Sequence, residues 1–151
     1  MYEINQAAVI GAGTMGLGIA GQLANADIPV VLLDIPSEGE NRNAVAERAL
    51  DRLMDRNQPG LLHKDKLKHI SIGNIEDDLH RIAKADWIAE AVVERLDIKK
   101  ALYQNIDALR KPGSIVSSNT STIPISLLVE DMPASFRREF AITHFFNPVR
   151  F

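Results

Sequence analysis

The stretch Val9-Ile10-Gly11-Ala12-Gly13-Thr14-Met15-Gly16-Leu17-Gly18 places a G-x-G-x-x-G pattern between an apolar run and a segment of helical periodicity. In this context Gly11 permits a tight turn from strand to helix, Gly13 lets the backbone approach a pyrophosphate, and Gly16 lets the helix pack against the strand. The N–H groups and the positive dipole end of the helix then face the phosphate charge. The pattern therefore predicts a dinucleotide-binding turn.

An acidic residue, Asp34, ends the next apolar run, which covers residues 30–33. A carboxylate at the end of the second strand of such a unit accepts hydrogen bonds from the adenosine ribose hydroxyls and repels a 2′-phosphate. Residues 35–40 add further acid, and the first arginine after them is Arg42. We therefore predict NAD rather than NADP as the cofactor, the alternative being a solvated aspartate at a strand end.

The composition is that of one ordinary globular domain. The chain has 151 residues, of which 46% are hydrophobic and 25% charged, and its net charge is −3. The charges are mixed along the chain without a basic patch, so we do not expect nucleic acid as a partner. No apolar run reaches membrane-spanning length and no basic, apolar leader begins the chain, so we expect no membrane span.

Cysteine and histidine usage limits the chemistry. The chain has no cysteine, which excludes disulfides and thiol chemistry and is typical of a cytoplasmic protein. Only His63 and His69 among the four histidines are close in sequence, and both lie in a lysine-rich segment. Without cysteines, or carboxylates at ligand spacing, we expect no metal site.

Apolar runs typical of strands alternate with segments of helical periodicity. The runs cover residues 7–10, 29–33, 70–72, 87–89, 114–117 and 140–145, and the helical segments cover 14–26, 41–56, 78–84 and 95–110. This alternation predicts an α/β fold over residues 1–151: a Rossmann-type, doubly wound, mostly parallel sheet with helices on both faces.

One long polar segment, residues 55–69, interrupts this alternation. We interpret it as a surface excursion, since it is too long for a simple turn and too polar for the core. The alternative is that Lys64, Lys66 and Lys68 reach toward an anionic, phosphate-bearing substrate, which requires an extended segment in which alternate residues share one face.

A second group of polar residues occupies the latter half of the chain. The sequence places Glu94 at the end of an apolar strand and Lys99 about a turn and a half into the following helix. Residues 117–122 read Ser-Ser-Asn-Thr-Ser-Thr, and residues 143–148 read Thr-His-Phe-Phe-Asn-Pro. Ligands of open α/β sheets bind outside the carboxyl ends of the strands. Gly11, Asp34, Glu94, Ser121 and His144 are all expected at or near such ends, which predicts one shared site.

These segments resemble the N-terminal, NAD-binding domain of the L-3-hydroxyacyl-CoA dehydrogenase family of fatty-acid β-oxidation. The most specific pieces are G-A-G-T-M-G, E-A-V-V-E-R, S-N-T-S-T and H-F-F-N-P, in this order, and the resemblance covers essentially the whole chain. They also resemble the same domain in larger multifunctional β-oxidation proteins, where it is fused to a hydratase. The resemblance implies an acyl-CoA substrate and a full-length protein that is a homodimer or part of such a multifunctional enzyme.

The resemblance also implies a role for each matching residue. His144 is implied as the general base for the substrate hydroxyl, and Ser121 as a hydrogen-bond partner of the reacting oxygen. The implied cofactor contacts are Gly11, Ala12, Gly13, Thr14, Met15, Gly16, Asp34, Glu94, Lys99, Ser121 and Asn147. The alternatives are a histidine packed among aromatic neighbours, an N-cap or turn serine at Ser121, and a solvated helix-face lysine at Lys99.

Two features that the family implies are missing from this sequence. One is a glutamate about a dozen residues beyond the histidine that orients it, in the manner of a catalytic triad; Glu130, Asp131 and Glu139 do not match it by motif. The other is a helical C-terminal domain that closes the substrate cleft. We therefore interpret the chain as a fragment and expect residues 1–151 alone to bind NAD but to turn over acetoacetyl-CoA poorly or not at all.

Two other functions stay open at this point. One is a related dehydrogenase of small β-hydroxy acids, which usually takes a catalytic lysine from its later helical domain and would not need His144. The other is a non-catalytic relative that keeps the nucleotide-binding fold. Intact His144 and Ser121 favour the hydroxyacyl-CoA dehydrogenase over both.

Overall fold

The computed structural model describes residues 3–55 and 60–149. Within these residues the strands are β1 (Ala7–Ile10), β2 (Val30–Asp34), β3 (Ile70–Asn74), β4 (Trp87–Glu90), β5 (Ile115–Ser118) and β6 (Phe140–Ile142). These six strands form one all-parallel sheet in the order β3-β2-β1-β4-β5-β6. This is a doubly wound order, whose direction reverses between β1 and β4. The predicted fold class is confirmed.

Helices cover both faces of the sheet. They are α1 (Thr14–Asn25), α2 (Ala44–Leu53), α3 (Leu96–Leu109), α4 (Ile125–Leu128) and α5 (Ala134–Arg138), with 3₁₀ helices at Lys64–His69 and Leu79–Lys84. The alternating residues of β1 belong to different cores: Ala8 and Ile10 pack with residues of α3, α4 and α5, whereas Ala7 and Val9 pack with residues of α1 and α2. Two covered faces explain why the strands read as continuous apolar runs.

Two predicted elements are shorter in the structure by three residues or more. The last strand ends at Ile142 rather than at residue 145, because the Phe145 N–H donates to the side chain of Asn119 instead of to a neighbouring strand. The helix predicted over 41–56 begins at Ala44, since the Asn41 side chain forms a turn that accepts the Asn43 N–H, and it ends at Leu53. Residue 56 lies outside the described residues.

The helices α4 and α5 are absent from the sequence prediction. Each follows directly on a proline, Pro124 or Pro133, and neither exceeds five residues. A proline suits the start of a helix because its missing N–H and fixed φ cost nothing there. So short a helix has too few turns to show an apolar period, so the sequence pattern could not reveal it.

The polar segment at 55–69 is folded against the domain, apart from residues 56–59, which lie outside the described residues. Leu61 is buried, and residues 64–69 form a 3₁₀ helix. Lys66 Nζ donates to Asp27 Oδ2 at 2.7 Å, just before β2 and so at the sheet edge opposite Asp34. The extended arrangement that would put Lys64, Lys66 and Lys68 on one face is therefore wrong, because a helical segment turns neighbouring side chains apart.

The amino edge of the sheet is held by one carboxylate, Asp86. Its Oδ2 accepts the N–H groups of Asn5 and Gln6 at 2.8 and 3.0 Å, and its Oδ1 accepts Lys111 Nζ. The Lys111 ammonium, followed by the two backbone donors, holds the pKa of Asp86 below its ordinary value. The contact ties the entry of β1 to the start of β4 and the approach to β5.

We expect Asp86→Asn to destabilise the protein by about 1 kcal/mol at neutral pH, since it removes a charge-assisted hydrogen bond. Because the folded-state pKa of Asp86 is lowered, its contribution is complete above roughly pH 4 and is lost as the pH falls through the folded-state value. Thermal unfolding at pH 7 and in acid measures this effect. The difference in unfolding midpoint between wild type and variant should be smaller in acid than at pH 7. An equal difference in midpoint at both pH values would contradict the predicted role of Asp86. So would an equally large difference for the exposed control variant Asp65→Asn.

Candidate functional site

The predicted site residues lie at the carboxyl edge of the sheet, around the point where the strand order reverses. Gly11 directly follows β1, Asp34 ends β2, Ser121 lies three residues after β5, and His144 lies two residues after β6. The prediction that Glu94 ends a strand is wrong: β4 ends at Glu90, and Glu94 lies in the loop before α3. This edge at the reversal is where open α/β sheets bind ligands.

The three glycines of the turn meet different surroundings. Gly11 has a φ of +102°, and a Cβ there would lie 2.4 Å from the Ala91 carbonyl oxygen. A Cβ on Gly16 would lie 1.8 Å from the Gly11 carbonyl oxygen, whereas a Cβ on Gly13 would have no atom within 4 Å. Gly11 and Gly16 are thus required by the protein's own packing, and Gly13 leaves open space at the start of α1.

The open space lies at a helix N-terminus that no side chain caps. Gly13 is the N-cap residue of α1, no side chain hydrogen bonds there, and the first turn, which begins with Thr14 and Met15, contains no acidic residue. The first N–H groups of a helix lack partners within the helix and attract anions. Space beside Gly13 and an uncapped, positively polarised helix end fit a pyrophosphate.

Asp34 is joined to the glycine turn. Its Oδ2 accepts the Ala12 N–H at 2.5 Å, and its Oδ1 accepts the Ile35 N–H at 2.6 Å. The carboxylate is therefore held at the end of β2 beside the start of α1. The spacing along the sequence predicted an acid at this position. The contact with Ala12 shows that Asp34 belongs to the turn and is not a separate solvated residue.

The arginine nearest in sequence after Asp34 is already paired. Arg42 Nε lies 2.7 Å from Asp77 Oδ2, and Arg42 Nη2 lies 2.6 Å from Glu76 Oε2. The Asp77 carboxylate, followed by that of Glu76, raises the pKa of Arg42. Because two carboxylates already bind this guanidinium, a 2′-phosphate would have to compete with them for it, which favours NAD over NADP.

We expect Asp34→Asn to weaken NADH binding roughly tenfold and to relax, but not reverse, the discrimination against NADPH. The charge that repels a 2′-phosphate is lost, but Arg42 stays paired with Glu76 and Asp77. Fluorescence titration with NADH and NADPH measures both effects, with Asp65→Asn as a neutral control for loss of a carboxylate. An unchanged preference would mean that the ribose is recognised elsewhere.

Glu94 organises the loop that carries Ser121. Its Oε1 accepts hydrogen bonds from Thr120 Oγ1, from Thr122 Oγ1 at 3.1 Å and from the Ser121 N–H at 3.3 Å. Burial alone would raise the pKa of Glu94, but the Thr120 hydroxyl, the Lys99 charge and Thr122 outweigh it, so that the pKa lies below its ordinary value. The carboxylate is therefore an anion that fixes residues 120–122. Ser121 itself is exposed in a bend, and Pro124 caps the helix that follows, so Ser121 is not an N-cap.

Lys99 is fully buried, so the alternative of a solvated helix-face lysine is wrong. Its Nζ lies 2.6 Å from Glu90 Oε1 and 3.4 Å from Glu94 Oε2. The helical position of Lys99 was predicted, but which face of α3 it occupies depends on how the helix packs. The ammonium bridges a buried acid and an acid of the loop before α3. Because the side chain is only 1% exposed, the implied direct contact of Lys99 with a cofactor is not met in the structure.

Glu90 is the residue of this region that the sequence analysis missed. It ends β4, is fully buried, and accepts hydrogen bonds from four donors, described below. The available signal was an acid inside the apolar run Trp-Ile-Ala-Glu-Ala-Val-Val, residues 87–93. Charged residues are rarely buried without a partner, so that position indicated a functional or paired acid.

His144 lies on an exposed stretch after β6. Its ring packs edge-on against Phe146, with ring centroids 4.8 Å apart, and Phe146 is itself 74% exposed. The alternative of a histidine packed between a strand and aromatic neighbours is met only in the contact with Phe146, because His144 is otherwise exposed. Among the described residues no hydrogen bond or ion pair joins His144 or the exposed Asn147 to Ser121 or Glu94, so these side chains share an edge without touching.

Two kinds of feature are absent from the part of the chain that the structure describes: a cluster of metal ligands and a membrane-spanning helix. Within residues 3–55 and 60–149, no three His, Cys, Asp or Glu side chains are grouped so that they could hold a metal ion. In the same residues, the helices are too short or too polar to cross a bilayer.

Comparison with known proteins assigns the family. The model of the family described as "3-hydroxyacyl-CoA dehydrogenase, NAD binding domain" matches residues 6–151. A "probable 3-hydroxyacyl-CoA dehydrogenase" of Deinococcus radiodurans is 43% identical over 150 residues, which cover 99% of this chain and 43% of that protein. The fatty acid oxidation complex subunit alpha of Psychrobacter arcticus is 38% identical, over 98% of this chain and 20% of that protein.

Solved structures with a similar fold support the same family. The 3-hydroxybutyryl-CoA dehydrogenase of Escherichia coli K12 is similar with a TM-score of 0.81 and 34% identity, over 98% of this chain and 31% of that one. The (S)-3-hydroxybutyryl-CoA dehydrogenase of Ralstonia eutropha has a TM-score of 0.74 and 32% identity, over 97% of this chain and 51% of that one. The chain spans less than half the length of the D. radiodurans relative. It belongs to the family of NAD-binding domains of the 3-hydroxyacyl-CoA dehydrogenases.

Proposed function

We propose that the protein containing this chain oxidises L-3-hydroxyacyl-CoA to 3-oxoacyl-CoA with NAD, in fatty-acid β-oxidation. The observation that carries the proposal is the convergence, at one sheet edge, of an open glycine turn, Asp34, the Glu94-held loop of Ser121, and the exposed His144. The names of its relatives, which are 3-hydroxyacyl-CoA and 3-hydroxybutyryl-CoA dehydrogenases, support the substrate class.

The cofactor would be held along this edge. The N-terminus of α1 would bind the pyrophosphate through the turn residues Gly11, Ala12, Gly13, Thr14, Met15 and Gly16, and Asp34 would accept hydrogen bonds from the ribose. Glu94, Ser121 and Asn147 would contact the nicotinamide half, and the buried Lys99 would act through Glu94 without touching the cofactor. When bound, NAD accepts the hydride from the substrate carbon that carries the hydroxyl group.

The chain's own residues would handle the proton. His144 would take the proton of the substrate 3-hydroxyl on an imidazole nitrogen, a role that suits a side chain able to exchange protons near neutral pH. Ser121 would donate a hydrogen bond to the same oxygen and so hold it near His144. Glu94 supports this arrangement because it binds the backbone N–H of Ser121, whose side chain is exposed.

We also propose the setting of the full-length protein. Some relatives are parts of fatty acid oxidation complexes, so a homodimer or a multifunctional β-oxidation enzyme in the cytoplasm is the expected context. In either case, a glutamate about a dozen residues beyond His144 would orient the imidazole, and a further helical domain would close the substrate cleft.

The test is a substrate trial on the full-length protein with NAD, following NADH absorbance. We expect oxidation of L-3-hydroxybutyryl-CoA and longer CoA esters, and little oxidation of free 3-hydroxybutyrate. Oxidation of free hydroxy acids alone would favour the small-acid dehydrogenase. NADH binding without oxidation of either substrate class would favour a non-catalytic relative.

A further inference from the structure

The buried carboxylate of Glu90 is saturated with donors. Its Oε1 accepts Lys99 Nζ at 2.6 Å and the Val92 N–H at 2.8 Å, and its Oε2 accepts the Tyr103 hydroxyl at 2.6 Å and the Ser118 hydroxyl at 2.7 Å. Four donors match the acceptor capacity of an ionised carboxylate. Burial, followed by the Glu90 charge, raises the pKa of the Tyr103 hydroxyl, which therefore stays a neutral donor.

These donors come from three neighbouring parts of the site. Val92 begins the loop toward Glu94, Lys99 and Tyr103 belong to α3, and Ser118 ends β5, just before the loop of Ser121. A buried carboxylate with this many partners is costly to remove, because each donor would be left buried and unpaired. Glu90 therefore fixes the relative positions of one loop, one helix and one strand end.

One of the four contacts leads directly to the ligand-facing surface. Lys99 lies between Glu90 and Glu94, so its single positive charge is shared by two carboxylates, one buried and one with a side chain 40% exposed. Glu94 in turn holds Thr120, Ser121 and Thr122. A chain of contacts thus runs from the core through Lys99 and Glu94 to Ser121.

We propose that Glu90 is a positioning residue of the cofactor site, which acts by holding Lys99 so that Glu94 remains bound to the loop of residues 120–122. This inference rests on the proposed role of Glu94 in cofactor binding. The charge of Glu90 holds Lys99 Nζ at 2.6 Å, and the contact of Lys99 Nζ with Glu94 Oε2 is the longer of the two, at 3.4 Å. Without that charge, Glu94 is the carboxylate left within reach of Lys99, and it is drawn away from Thr120 and Thr122.

The test is a double-mutant cycle on NADH affinity in the full-length protein, with the variants Glu90→Gln, Glu94→Gln and both together. We expect each single variant to raise the NADH Kd about tenfold, the scale of one lost charge-assisted hydrogen bond. In the Glu94→Gln background, Glu90→Gln should change Kd by less than about twofold, because residues that act through each other do not give additive effects.

The matched control is Tyr103→Phe. It removes a hydrogen bond to the same carboxylate and keeps the ring, which packs against Phe136 and Phe140, but it leaves the contact between Glu90 and Lys99 intact. We expect a lower thermal unfolding midpoint and an unchanged NADH Kd. If the role of Glu90 were purely structural, the NADH Kd of Glu90→Gln and of Tyr103→Phe would each rise in proportion to the loss of stability.

Each outcome separates the inference from the function on which it rests. Additive effects of Glu90→Gln and Glu94→Gln, or a Kd raised as much by Tyr103→Phe as by Glu90→Gln, would overturn the positioning role and leave the role of Glu94 standing. A wild-type Kd for Glu94→Gln would refute both. A non-additive cycle with an unaffected Tyr103→Phe supports the proposal.

Discussion

His144→Ala is expected to lower kcat about 10²–10⁴-fold, the usual contribution of a general base, while the NADH Kd stays within twofold of wild type. The imidazole is exposed and its ring contact is with another exposed side chain, Phe146, so its removal leaves no cavity and no unpaired buried group. Loss of activity would then report on proton transfer and not on folding. The measurement is the steady-state rate of L-3-hydroxybutyryl-CoA oxidation, with NADH affinity and thermal unfolding recorded on the same sample.

The matched control for this variant is His63→Ala. His63 is equally a surface histidine, with a side chain 74% exposed, but it lies beside Asp65 in the segment before β3. We expect unchanged kcat and unchanged stability. Retention of kcat in His144→Ala would refute His144 as the base, and an equal loss in His63→Ala would show that the assay responds to something other than the site.

Substitution of the glycines in the turn is the second change for which we expect a large effect. One substitution should lower stability, and another should weaken NADH binding with little effect on stability. Gly16→Ala places a methyl group 1.8 Å from the Gly11 carbonyl oxygen, so α1 must move away from β1. We expect a loss of about 3 kcal/mol in the free energy of unfolding, at the upper end of the usual cost of overpacking, and with it a loss of measurable NADH binding.

Gly13→Ala is the counterpart on the same turn. Its methyl group would enter open space, and its φ of −66° suits alanine, so the cost in stability should stay below about 1 kcal/mol, the scale of an N-cap preference. The NADH Kd should nevertheless rise at least tenfold, because the methyl group occupies the space that the pyrophosphate approaches. Thermal unfolding without cofactor and NADH titration measure the two effects. Wild-type affinity in Gly13→Ala would contradict the assignment of the space, and wild-type stability in Gly16→Ala would contradict the packing of α1.

The fold could be predicted largely from local patterns. Strands covered on both faces appear as apolar runs, glycine spacing marks the turn, and the position of Asp34 follows from the length of one β-α-β unit. The helices at 125–128 and 134–138 were missed because elements of four or five residues have no measurable period. For α3 the range was predicted to within one residue at each end, but the burial of Lys99 was not, because burial depends on which face of the helix packs against the sheet.

The linear sequence was sufficient for the class of fold, the dinucleotide turn and the family motifs, because these depend on residues near one another in the chain. The tertiary structure was needed to pair Arg42 with Glu76 and Asp77, to bury Lys99, and to surround Glu90 with donors 2, 9, 13 and 28 residues away in sequence. Such contacts arise only when helices and loops pack on the sheet and bring residues that are distant in sequence together. The charge balance of the site is therefore a property of packing, which no spacing along the chain encodes.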